Sequence, residues 1–116
     1  MGGIDIVIDD GSHVASHQRT SFEFLYPLLN VGGVYLVEDL HTAYWRGYFE
    51  GGIRRKGTFI EEMKSLVDDI HHPWHGKRQH FPDAHQNVGA IHFYDSIVVV
   101  EKRSVLPARH AIIGKP

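Results

Sequence analysis

Ile4-Asp5-Ile6-Val7-Ile8-Asp9-Asp10-Gly11-Ser12-His13 is the stretch that decides the fold. A short β-branched run ends in two aspartates and a glycine, which reads as a buried strand entering a turn. Gly33-Val34-Tyr35-Leu36-Val37 is a second such run, and it ends in Glu38-Asp39. Between the two, Phe22, Leu25, Leu28 and Leu29 recur at three- and four-residue spacing, which predicts an amphipathic helix from about Val14 to Asn30. Pro27 falls inside that pattern and is expected to kink or shorten the last turn. Asn30-Val31-Gly32-Gly33 then supplies the stop. Strand, helix and strand predict a right-handed βαβ unit with parallel strands.

Further along, residues 41–56 are rich in aromatics and glycine, with Tyr44, Trp45, Tyr48 and Phe49 among Gly47, Gly51 and Gly52. That composition, directly after an acidic pair, suits a mobile lid or substrate loop, and equally a hydrophobic flap on the core. Thr58-Phe59-Ile60-Glu61 is a capping box opening a helix to about His71, with Phe59, Met63, Leu66, Val67 and Ile70 as its apolar face. His71-His72-Pro73 ends it. Val88–Tyr94 and Ile97–Lys102 flank the turn pair Asp95-Ser96 and read as an antiparallel hairpin. The tail from Ser104 to Pro116 is weakly patterned and expected to fray. The elements predict one α/β domain over residues 1–116, with no internal repeat.

With 42 % hydrophobic and 22 % charged residues, the chain reads as globular. A formal charge of −2 implies no nucleic-acid partner. There is no cysteine, which excludes disulfides and thiolate metal sites. No apolar run reaches membrane-span length, and Met1-Gly2-Gly3 does not open a secretory signal, so a cytoplasmic location is expected. Of ten histidines, six lie between His71 and His92, as either a soft-metal cluster or a solvated His-rich loop.

The chemistry concentrates at the strand ends. In an open parallel sheet the carboxyl ends of the strands line the ligand crevice. Asp10 at one end, Glu38 and Asp39 at the next, and His13 opening the helix suggest a hard divalent cation with a base beside it. Oxygen ligands without cysteine favour Mg²⁺, Mn²⁺ or Ca²⁺ over zinc. Each acidic pair alone is also an ordinary turn or cap sequence; their co-occurrence at adjacent strand ends carries the reading.

Residues 5–13 together with Gly32-Gly-Val-Tyr-Leu-Val-Glu-Asp-Leu-His-Thr42 resemble the metal-dependent sugar O-methyltransferases of macrolide biosynthesis, the mycinamicin and macrocin O-methyltransferases. The run Ile91–Lys102 is similar to that family's terminal hairpin. The resemblance spans most of residues 4–103. It implies the C-terminal half of a Rossmann-like class I methyltransferase sheet, dependent on S-adenosylmethionine: parallel strands followed by a terminal antiparallel hairpin. In that family the residues matching Asp10, Glu38 and Asp39 hold Mg²⁺ (or Mn²⁺), and the one matching His13 is the general base. The metal would lower the pKa of an acceptor hydroxyl. An imidazole could then take the proton near neutral pH, while Tyr44 and Trp45 wall the acceptor from water.

The resemblance also carries a departure. No Gly-x-Gly follows any strand, so strands 1 to 3 and most of the S-adenosylmethionine pocket are expected to be missing. That cofactor would be held only if the missing half is supplied. An unpaired edge on Ile4–Ile8 is a template for association, so a homo-oligomer through this strand is expected. Three functions compete: the metal-binding part of a small-molecule O-methyltransferase acting on a hydroxyl, a non-catalytic half-sheet that dimerises or complements a partner, and a metal-dependent hydrolase. No nucleophile constellation or phosphate loop supports the last. His41 is either an orienter of the site or a strand-end polar residue.

Overall fold

The computed structural model describes residues 3–48, 50–82 and 84–104, residue 85 by its backbone only. Phe49, the His85 side chain and the tail beyond Ser104 therefore lie outside the described residues. The chain runs β1 (Ile4–Asp9), α1 (Ala15–Leu25), a 3-10 turn (Tyr26–Leu28), β2 (Leu29–Val37), a second 3-10 turn (Leu40–Tyr44) and α2 (Phe59–Ile70). Two single-turn helices, α3 (His72–His75) and α4 (Ala84–Asn87), lead into β3 (Val88–Tyr94) and β4 (Ile97–Lys102). The sheet order is β1-β2-β4-β3, with β1 and β2 parallel and the other two pairings antiparallel. The βαβ unit and the terminal hairpin stand as the sequence predicts.

The helix expected to reach Asn30 stops at Leu25. Pro27 has no N–H to give the carbonyl four residues back, and its ring crowds that position. The chain tightens into a 3-10 turn around it, Leu28 is left exposed, and Leu29 already belongs to β2. Asn30–Gly33, read as a turn, is instead a bulged stretch of β2. Ile4 pairs with Leu29 and Ile6 with Val34, so three extra residues are absorbed there. A Cβ on Gly33 would come within 2.6 Å of the Asp5 carbonyl oxygen, so only glycine permits this approach.

Register decides which face is buried. Val7, Tyr35, Val100 and Ile91 are cross-strand partners, as are Asp9, Val37, Val98 and Phe93, and these two rows share one face. Both long helices pack there. Phe22 sits at the centre, stacked on Tyr26 at 4.9 Å and meeting Tyr35 and Phe81 edge-on at 5.0 and 5.4 Å. Phe59, Met63 and Leu66 of α2 complete the core. The apolar face expected for α2 holds except at Val67, which is exposed, while Ile60 is buried in its stead. Two acids share that buried side: Asp69 accepts the backbone N–H groups of His80 and Phe81 at 2.7 Å each, and Glu62 is bonded by Arg19 and by His80 Nε2.

β1 departs from the expectation of a buried strand. It is the edge of the sheet, and Ile6 and Ile8 on the second face are 62 % and 60 % exposed. The unpaired edge itself was expected. Its exposure follows because no described element covers that face.

Two stability predictions arise from these elements. Thr58 caps α2, its Oγ1 accepting from Glu61 N and donating to the Arg55 carbonyl. Thr58→Ala should cost about 1 kcal/mol, read as a lower denaturant midpoint at unchanged slope. Burial pushes the Tyr26 and Tyr35 hydroxyls well above the ordinary tyrosine range, and the Asp9 carboxylate adds to the effect at Tyr35. Unfolded tyrosines ionise near pH 10 while the folded ones keep their protons. Stability is therefore full below about pH 10 and falls as pH rises beyond it. Tyr26→Phe should flatten that alkaline fall in melting temperature.

Candidate metal and acceptor site

Because β1 and β2 run parallel, their carboxyl ends meet at one edge of the sheet. Asp9 pairs with Val37, and Glu38 N carries the ladder one step further by donating to the Asp9 carbonyl at 3.2 Å. Asp10 and Glu38 thus follow directly on the paired ends of neighbouring strands. Asp39 follows in the left-handed region at φ 59°, a conformation that aspartate tolerates better than most residues. The chain then turns sharply, and Leu40 N donates to the Ser96 carbonyl at 2.9 Å. β4 brings Ser96 there: it runs antiparallel with Val98 opposite Val37, so the hairpin tip lies at the same edge.

The first βα turn separates the two aspartates by role. Asp9 is fastened, with one oxygen accepting Gly11 N at 3.2 Å and the other accepting the Tyr35 hydroxyl at 3.5 Å. Asp10 is exposed at the end of the strand. Ser12 Oγ accepts Val14 N at 3.1 Å and is bonded to His17 Nδ1 at 2.9 Å, which fixes the turn carrying half-buried His13. Glu50 reaches back from the aromatic loop to accept Ser16 N at 3.3 Å. It substitutes for the N-cap side chain that α1 lacks, since Val14 offers none.

The aromatic loop is built from consecutive turns. Trp45 N bonds to the Thr42 carbonyl, Tyr48 N to Trp45, Gly51 N to Tyr48 and Gly52 N to Ala43. His41 ties it to the hairpin: its N–H donates to Ser96 Oγ at 3.2 Å and its Nδ1 is bonded to the same oxygen at 2.8 Å. The His41 ring meets Trp45 edge-on at 5.2 Å, and Trp45 meets Tyr48 at 5.1 Å. Tyr44 and Trp45 are both about half exposed. Gly51 is the tightest point, where a Cβ would lie 2.4 Å from the Trp45 carbonyl oxygen. Gly51→Ala should cost about 1–3 kcal/mol by overpacking and speed proteolytic cleavage within the loop.

Among the described residues no three His, Asp or Glu side chains are gathered into a group able to hold a metal ion. The backbone brings Asp10 and Glu38-Asp39 to one edge, but their carboxylates are not converged. Their chemistry nevertheless fits a hard cation: oxygen donors only, on adjacent strand ends, half-buried or exposed. The His-rich stretch has another use. The His71 and His75 rings bond the Val67 and Asp68 carbonyls at 2.6 and 2.8 Å, satisfying the open end of α2.

No family model matches the chain. By sequence it is 43 % identical over 109 residues to the 8-demethyl-8-alpha-L-rhamnosyl tetracenomycin-C 2'-O-methyltransferase of Streptomyces olivaceus, covering 90 % of this chain and 28 % of that protein. It is 42 % identical to the demethylmacrocin O-methyltransferase of Streptomyces fradiae, with 87 % and 27 % covered. By structure it superposes at TM-score 0.75 and 41 % identity on the MycE methyltransferase of the mycinamycin biosynthetic pathway, solved with Mg, SAH and mycinamycin VI, covering 86 % of this chain and 26 % of that one. The fold is thus that of a segment of a methyltransferase sheet. The chain is a homologue of the C-terminal part of the antibiotic-sugar O-methyltransferases, and it spans about a quarter of the length of the curated relatives it matches.

Sequence reading missed Ser96, His17 and Glu50. Ser96 reads locally as a hairpin turn residue, and nothing in the chain signals its pairing with His41, 55 positions away. Glu50 has only the absence of an N-cap at Val14 to announce it. For His41, the hydrogen bonds show a tie between the aromatic loop and the hairpin turn at Ser96.

Proposed function

We propose that this chain supplies the metal-binding and base-bearing part of an S-adenosylmethionine-dependent sugar O-methyltransferase. The observation that supports the reading is the β1–β2 register, which ends with Asp9 opposite Val37, so that Asp10 and Glu38-Asp39 follow the two neighbouring strand ends, with His13 three residues beyond Asp10. Homology to enzymes of that activity supports it. Asp10, Glu38 and Asp39 would hold a Mg²⁺ or Mn²⁺ ion, which when bound would lower the pKa of an acceptor hydroxyl. His13 takes the hydroxyl proton. S-adenosylmethionine, when bound, would supply the methyl group to that oxygen. Tyr44 and Trp45, steadied through His41 and Ser96, exclude water from the acceptor.

Calorimetric titration with S-adenosylmethionine, with and without Mg²⁺, tests how much of the enzyme the chain carries. Heat with micromolar affinity, followed by radiolabelled methyl transfer to a rhamnosyl acceptor, marks a self-sufficient catalyst. Absence of heat, with transfer appearing once a cofactor-binding partner is added, marks a contributing half. Absence of transfer in both cases refutes the reading.

A second reading draws on the exposed β1 edge, where Ile6 and Ile8 face outward. Two copies pairing β1 across a two-fold axis would complete the open ladder and set their Ile6–Ile8 rows side by side. Light scattering at high micromolar concentration should give a dimer mass, and a monodisperse monomer sinks the idea.

A further inference from the structure

Between α1 and the segment entering α2 lies a cleft of about 320 Å³. Ala15, Ser16 and Arg19 form one wall, and Arg55 and Lys56 belong to the other. Glu50 crosses it, its Oε1 accepting Ser16 N at 3.3 Å from 34 positions away in sequence. Glu50 stands in the left-handed region at φ 69°, where a residue with a side chain is uncommon. Such a conformation persists where the surroundings over-determine it. Here they do. Gly51 is wedged against the carbonyl oxygens of Thr42, Trp45 and Tyr48. Its N–H donates to the Tyr48 carbonyl at 2.8 Å, and Gly52 N donates to the Ala43 carbonyl at 2.7 Å. From the far wall, Arg55 Nη1 donates to the Gly51 carbonyl at 3.1 Å.

The backbone after Glu50 is therefore fastened to the turns that carry Tyr44 and Trp45, while its carboxylate is fastened to α1. Ser16 lies three residues beyond His13 and in the first turn of α1, where backbone N–H groups have no partner within the helix. Val14, at the cap position, has no side-chain acceptor to offer. A carboxylate is also the charge that a helix N-terminus favours. Glu50 thus joins two pieces that the catalytic scheme needs at a set spacing, the turn bearing the base and the aromatic wall. Small errors in such spacing are costly to a reaction that depends on held geometry.

We infer that Glu50 is a positioning residue, which clasps the aromatic loop to the start of α1 and so holds Trp45 in place relative to the His13 turn. The inference rests on the function proposed above and adds to it the contact that joins the two sides of the acceptor site. Glu50 touches no reacting atom; it acts through Ser16 on one side and through the Gly51 turn on the other.

The test uses the full chain with Trp74→Phe, which leaves Trp45 as the remaining tryptophan of two. Acrylamide quenching of its fluorescence reports the loop, amide exchange by NMR reports Ser16, and circular dichroism confirms that each variant is folded. Glu50→Ala should raise the quenching constant about twofold and speed Ser16 exchange about fivefold, in line with a lost cap and local opening. Glu50→Gln keeps an oxygen acceptor and should hold both readouts near those of the parent. Adding Val14→Ser to Glu50→Ala gives α1 a cap of its own. Ser16 protection should then return while Trp45 stays open, because no clasp has been restored. Unchanged Trp45 quenching in Glu50→Ala, or its recovery with Val14→Ser, reduces Glu50 to a helix cap and overturns the positioning role. These readings are taken without cation, and a Mn²⁺ titration of the same samples separates the failures. Absent cation binding overturns the metal-site reading alone, and intact cation binding with unchanged Trp45 quenching the clasp alone.

Discussion

Glu38→Gln combined with Asp39→Asn should lower the affinity for Mg²⁺ or Mn²⁺ by at least about 100-fold. Loss of an outer partner to a ligand already costs about 10–100-fold, and these substitutions remove two of the proposed ligands themselves. Both side chains lie at the strand end in half-buried positions, and neither belongs to the buried core, so the fold should survive. Circular dichroism serves as the control, and calorimetry with Mg²⁺ gives the affinity. Asp9→Asn provides the contrast. Asp9 is engaged with Gly11 N and the Tyr35 hydroxyl, so its replacement should perturb the turn and stability more than cation affinity.

Phe22→Ala should destabilise the chain by about 3–5 kcal/mol. Phe22 is 3 % exposed and makes ring contacts with Tyr26, Tyr35, Phe59 and Phe81. Those partners come from the first 3-10 turn, from β2, from α2 and from the segment before α4. Removing the ring therefore opens a cavity where four parts of the chain meet, and no single neighbour can collapse into it. Since small domains are stable by about 5–15 kcal/mol, most of the folded population is at risk. Urea unfolding should show a sharply lower midpoint, while Phe22→Leu should recover much of the loss.

The part of the fold governed by local pattern was legible in the sequence. Four β-branched residues running into Asp9-Asp10-Gly11 announced β1, and Thr58 with Glu61 announced α2, because strand ends and helix caps are written in adjacent residues. The hairpin bounds at Tyr94 and Ile97 were likewise readable from two turn residues between β-rich runs. The end of α1 was not. Leu28 and Leu29 continued a helical spacing, but the backbone at Pro27 cannot, and tertiary burial assigned Leu29 to the sheet. Asn30–Gly33 looked like a turn because glycines usually punctuate; here they admit a bulge against Asp5.

For the candidate site, sequence gave the residues at the strand ends and the loop beside them. Their convergence was beyond it, since side-chain rotation at Asp10, Glu38 and Asp39 decides whether a shell closes. Long-range partners were equally hidden: Ser96 to His41 and Glu50 to Ser16 are contacts that only the folded topology creates. The exposure of Ile6 and Ile8 also needed the topology, because the same apolar run is interior in a sheet covered on both faces.

The most direct measurement is paramagnetic broadening of backbone amide signals by substoichiometric Mn²⁺. A cation held by Asp10, Glu38 and Asp39 should erase the signals of residues 9–13 and 38–41 first, and excess Mg²⁺ should restore them. Broadening centred on the histidines of residues 71–80, or uniform broadening that Mg²⁺ does not reverse, would contradict the site and the function built on it.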